Sequence, residues 1–229
     1  MYQWLIAAAL CGSGSSSAEV TLPARVAATE LSPTLTTGSL IGTKGDCLAV
    51  RIYTASSMTH VGAVVVQEDG PWVYESTNGV GVRKLPLADY LAAQAPNRVL
   101  VYQPRRLLTA GQARDFEAYL ESQLGRPYSV KHHITGQHCE GMHCAEYATE
   151  ALLKTELITA ENPVRVSPAS LIEGIVENDI YVAGPEQEIV VEEPPPIPDD
   201  LNCCERMWEG TKRCTSACCH KMSGWFLCR

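Results

Sequence analysis

The sequence predicts an α+β domain in which an antiparallel sheet packs on helices, followed by a small cysteine-rich C-terminal module. Three observations predict it. Short β-branched and apolar runs fill residues 47–103, and the best amphipathic helices come after them, near 109–125 and from 143 onward. The composition, 45% hydrophobic and 19% charged over 229 residues, is globular and ample for one ordinary core plus extra segments. Six of the ten cysteines fall in the last 27 residues, a density that suits an oxidising compartment.

The first 18 residues read as a candidate signal segment. Trp4 to Leu10 is apolar, and Ser16 and Ala18 are small residues at the −3 and −1 positions of a cleavage site, although no Lys or Arg precedes the run. Secretion or a periplasmic location is the expectation. No apolar stretch reaches the roughly 18 residues of a transmembrane helix. The net charge of −8 argues against nucleic acid as a partner.

The body is expected over residues 35–182. Cys47 to Tyr53 is rich in strand formers. Val61 to Gln67 is small and β-branched throughout, as in a strand buried on both faces. Glu68-Asp69-Gly70-Pro71 reads as a turn and Trp72 to Thr77 as the returning strand. Val80 to Leu85 adds another, Leu87 to Ala95 a short helix, and Arg98 to Gln103 a further strand. Thr109 with Gln112 is a capping-box pattern. Ala113, Phe116, Leu120 and Leu124 follow as an apolar stripe, ended at Gly125. Residues 184–200 carry six acids, no base and five prolines, which reads as an extended linker.

Chemistry points first to Cys144. At a helix start its sulfur meets the positive end of the helix dipole, which lowers a thiol pKa, and the same N-terminus offers N–H groups to an oxyanion. His60 opens the 61–67 strand, and Gly62, on the same face, leaves room for a neighbour or substrate. Glu75 lies on the returning strand. A hairpin centred on Gln67-Glu68 sets Glu75 directly opposite His60. A tight turn at Asp69-Gly70 sets it opposite Val64, and the sequence leaves both registers open. A carboxylate beside an imidazole fixes its tautomer and stabilises the imidazolium.

Gly45-Asp46, Thr59-His60-Val61-Gly62, Val73-Tyr74-Glu75-Ser76, Gly125-Arg126-Pro127-Tyr128 and His143-Cys144-Ala145-Glu146-Tyr147 occur in that order. Over roughly residues 37–160 this resembles the YiiX-like branch of the NlpC/P60 cysteine hydrolases. The resemblance implies a circularly permuted papain-like fold, in which the His precedes the Cys. It implies Cys144 as nucleophile, His60 as general base, Glu75 as the residue that orients His60, and Tyr128 as a substrate-binding tyrosine. Ala145 departs from the small hydroxyl residue expected after the Cys. Glu146 fits either an acidic family position or an ordinary first-turn acid. The implied reaction is attack of a thiolate on a peptide amide, with cell-wall peptides as a substrate class. The alternatives are an acyltransferase or lipid hydrolase on the same triad, or a non-enzymatic binding protein acting through the tail.

His138, Cys139, His143 and Cys144 lie within seven residues, but a tetrahedral zinc site normally pairs two such knuckles and the body has no second one. No metal or cofactor is expected. Cys139 is left to pair with Cys47 or Cys11, or to resolve an oxidised Cys144. The tail from Leu201 holds six cysteines with a net charge of +3, and reads as a module stapled by three disulfides of undetermined connectivity. The oligomeric state is not legible.

Overall fold

The computed structural model describes residues 20–45, 47–135, 140–191 and 195–227. The candidate signal segment, Asp46, His138 and Cys139 lie outside the described residues.

Seven strands form one sheet: β1 (Val20–Pro23), β2 (Leu40–Lys44), β3 (Met58–Gln67), β4 (Gly70–Thr77), β5 (Gly81–Pro86), β6 (Arg98–Pro104) and β7 (Tyr181–Val190), in the order β1-β7-β6-β2-β3-β4-β5. The expected sheet was antiparallel; it is mixed, because β1 pairs with β7 in parallel. The alternation of β3 explains the layering. Val61, Ala63 and Val65 join one core with α4 (Ala110–Ser122), α6 (Cys144–Leu153) and α7 (Pro168–Glu177). Val64 joins the other, under α1 (Ala24–Leu31) and α3 (Leu87–Gln94). As expected for this run, both faces of β3 are covered. The capping box at Thr109 and Gln112 forms and starts α4.

Several elements differ from the sequence reading. Residues 47–53 form no strand; they begin α2 (Leu48–Thr54), which ends on Ala55 in a left-handed conformation. The sheet position between β3 and β6 belongs to β2, whose Leu40 and Ile41 are fully buried. Nor does the body start at 35, since β1 and α1 precede it. The linker is shorter than 184–200, because residues 184–190 complete β7. There the acids alternate with buried side chains: Gln187 and Ile189 face inward, while Glu186 pairs outward with Lys44 and Arg98.

The tail differs most. Cys203–Leu227 forms one helix, α8, which rests against α2. Cys203, Cys204, Cys214, Cys218 and Cys219 are free thiols, so the expected disulfide staples are absent among the described residues. Asn202 and Glu205 explain the helix. The Asn202 side chain accepts from the Glu205 N–H and the Glu205 carboxylate accepts from the Asn202 N–H, each at 3.0 Å, a reciprocal cap. Once helical, Cys214 and Cys218 stand one turn apart, about 5–6 Å between Cβ atoms. That exceeds the roughly 3.5–4.5 Å that a disulfide spans. Cys47, at the cap of α2, is disulfide-bonded; Cys139 and Cys11, its expected partners, lie outside the described residues.

Candidate active site

Cys144 is the first residue of α6 and is buried. Its helix is held in place by the loop before it. Ser76 of β4 donates to the Met142 carbonyl at 2.7 Å, and the Met142 N–H donates to the Pro127 carbonyl at 3.0 Å. A Cβ on Gly141 would stand 2.7 Å from the Pro127 carbonyl oxygen, so only glycine allows the two loops to close. The same pairing, Tyr128 beside Met142, brings Tyr128 to the site. Burial, with the negative charge of Cys144 added to it, pushes the Tyr128 phenol up.

His60 and Glu75 meet: His60 Nε2 lies 2.6 Å from Glu75 Oε2. The hairpin takes neither anticipated register. Gln67 pairs with Gly70 across a two-residue turn, and Ala63 faces Tyr74. One pair further, Gly62 comes beside Glu75, and His60 reaches the carboxylate diagonally. The space left by Gly62 is taken by protein, not by a substrate: a Cβ there would stand 2.6 Å from Val73 Cγ1 and 3.0 Å from the Tyr90 hydroxyl. Tyr90 stacks on the His60 ring, with centroids 6.4 Å apart.

Because Glu75 occupies Nε2, Nδ1 is the His60 nitrogen left for the sulfur. Burial disfavours the imidazolium, but hydrogen bonding and attraction to the Cys144 thiolate and to Glu75 overcome it, and the His60 pKa is raised to about 10. Burial likewise opposes ionisation of Cys144. The His60 charge, with hydrogen bonds from His143 and His60, outweighs it and lowers the thiol to about 5. Between these values the two groups form a thiolate–imidazolium pair.

Two further residues at the site were not anticipated. Arg83, directly across from Glu75 on β5, holds Oε1 through Nη2 at 2.6 Å and Nε at 2.8 Å. Despite burial, which favours the neutral acid, His60 and Arg83 keep the Glu75 carboxyl below its usual range. Asn78-Gly79 marks the turn, but as a two-residue loop it would set Glu75 opposite Val82; the loop takes three residues, 78–80, and Thr77 pairs with Gly81. The second is His143, given no role in the sequence beyond that of a zinc candidate. It is the N-cap of α6; its Nδ1 lies 3.4 Å from the Glu146 N–H, and its Nε2 lies 3.4 Å from the Val164 carbonyl. Burial disfavours its cation, but the Cys144 thiolate and Glu146 raise its pKa. Glu146 is buried, with a carboxylate oxygen 4.0 Å from His143 Nε2. It therefore belongs to the His143 side of the site, not to His60.

Among the described residues no group of three or more His, Cys, Asp or Glu side chains could hold a metal ion. A cavity of about 340 Å³ between α6, α7 and residues 156–160 is lined by Thr149, Leu157, Val166 and Ile175, and none of Cys144, His60 or Glu75 borders it.

No family model matches the sequence, and no curated protein matches it. Among solved structures the chain is similar to the metalloprotein yiiX from Escherichia coli O157:H7, at 18% identity and a TM-score of 0.46, over 70% of this chain and 93% of that one.

Proposed function

We propose that this protein is a cysteine hydrolase that cleaves an amide bond of a peptide substrate through Cys144, His60 and Glu75. The observation that carries the reading is the 2.6 Å contact of His60 Nε2 with Glu75, with Cys144 buried at a helix N-terminus and its thiol lowered by the His60 charge. A disulfide on Cys144, or a register that parts His60 from Glu75, would have favoured a scaffold role, and neither occurs.

In the proposed cycle the Cys144 thiolate attacks the carbonyl carbon and the oxygen takes up the negative charge. N–H groups of the first turn of α6 receive it. His60 gives its Nδ1 proton to the leaving amine, the C–N bond breaks, and a thioester remains on Cys144. Water then attacks the thioester while His60 takes a proton from it, releasing the acid and restoring the ion pair. Glu75 stabilises the imidazolium at both stages, and Tyr128 forms a wall of the substrate site. A cell-wall peptide is the substrate class that the sequence resemblance suggests.

The test uses p-nitrophenyl acetate as an acylating probe, followed by intact-mass and peptide mapping. The expected result is a burst of p-nitrophenol and an acetyl group on Cys144, absent in Cys144→Ala. Undiminished turnover in Cys144→Ala would end the reading.

A further inference from the structure

We propose that α8 is an interfacial helix that lays its cysteine-bearing face on an anionic lipid surface. At about 100° per residue, the five described cysteines, Met207, Trp208 and Met222 share one arc of about 160° of the helix. Thr211, Thr215 and, at its edge, Lys221 fall in the same arc, and Glu205, Arg206, Glu209, Lys212 and Arg213 occupy the rest. A soluble domain would turn the apolar arc inward; α8 does the reverse. The half-buried positions of its middle turns are Glu209 and Arg213, on the polar side, and Gly210, at the border of the arc. The five cysteines are exposed, and Met207, Trp208 and Met222 are 68%, 63% and 52% exposed. Thiols count here as small apolar groups. The α2 helix that touches α8 adds exposed Leu48 and Ile52.

Two features choose lipid over another occupant. The arc is wider than the narrow seam that a two-stranded coiled coil buries, which fits a broad apolar phase. Charge fits as well: residues 201–229 carry a net +3 in a chain of −8, so an anionic bilayer attracts the tail and repels the body. A modest apolar face opposite a charged one is the composition of a helix that lies in the interface without spanning it. No helix among the described residues is long and apolar enough to cross a membrane.

The test is flotation of the reduced full chain with vesicles of phosphatidylcholine alone and of phosphatidylcholine mixed with phosphatidylglycerol. The expected result is binding to the mixed vesicles, weakened by salt, with a blue shift of tryptophan emission. Met207→Glu combined with Trp208→Glu should lower the partition at least about tenfold, while iodoacetamide labelling of Cys144 keeps its wild-type rate and reports an intact body. Three results would overturn the proposal: no flotation with either vesicle, flotation unchanged in the double variant, or a reduced chain that sediments as a dimer and ignores lipid. The last would assign the face to a second copy.

Discussion

Cys144 is buried, and a buried thiol on its own would stay protonated. Its ionisation follows from the two imidazoles against it, and the chain Cys144–His60–Glu75–Arg83 lets each charge stabilise the next. His60→Ala should therefore lower turnover by about 10²–10⁴-fold, the range of a positioned acid–base group, and Glu75→Gln by less, since the ring remains. The pH profile follows from the directions of the shifts. Turnover should fall below about 5, where the Cys144 thiolate is protonated, and above about 10, where His60 loses the proton it gives to the leaving amine. His143 supports the thiolate from the other side. His143→Asn keeps a side-chain acceptor for the helix cap but removes the imidazole that hydrogen-bonds the sulfur, so the acid limb of the alkylation profile should move upward. An unmoved limb would reduce His143 to a helix cap.

At the scale of elements, the site depends on three close approaches. Gly62 makes room for Tyr90 beside His60, Gly141 lets the loop before α6 meet Pro127, and Gly81, at a φ of 91°, abuts the Arg126 carbonyl. Gly62→Ala should destabilise the fold by about 1–3 kcal/mol, the usual cost of overpacking, measured as a lower denaturant midpoint at unchanged slope. It should also disturb the His60–Tyr90 stack and slow labelling of Cys144. Much of this scale was legible: β3 to β6, α3, the capping box of α4 and the start of α6 at Cys144 lie where patterning put them. The failures have physical reasons. Residues 47–53 are β-rich but were outcompeted for the central sheet position by Leu40–Lys44, a stretch masked by its loop-like Thr36-Thr37-Gly38-Ser39 approach. The acids of β7 have the composition of a linker, but Glu186 pairs with Lys44 and Arg98 across the sheet. His143 and Arg83 could not be placed, because neither a cap side chain nor a cross-strand partner is fixed without the register.

For the whole molecule, the boundary of the body falls after Val190, not near Val182. A chain ending at Val190 keeps the parallel β1–β7 pair and should retain its melting temperature and the reactivity of Cys144. One ending at Val182 loses buried Ile189 and the partner of β1, and should unfold at lower denaturant. Equal stability of the two chains would show that β7 adds nothing to the sheet. The sequence put Cys144 at a helix start and His60 and Glu75 on neighbouring strands, where the structure has them, and misread the tail, for the same reason. Chemistry-bearing side chains on a strand and a helix start are tied to a core, whereas cysteine count alone does not fix geometry. Asn202 and Glu205 set a helix that keeps the thiols apart.

The central claim is that His60 holds Cys144 as a thiolate inside the fold. The most direct measurement is the rate of iodoacetamide alkylation at Cys144 as a function of pH, followed by mass spectrometry in the wild type and in His60→Ala. The wild-type rate should already be at its plateau near neutral pH, with a midpoint near 5 and, in His60→Ala, a midpoint displaced upward toward an ordinary thiol. A wild-type rate that climbs only above about 8, like a free cysteine, and is the same in His60→Ala would contradict it.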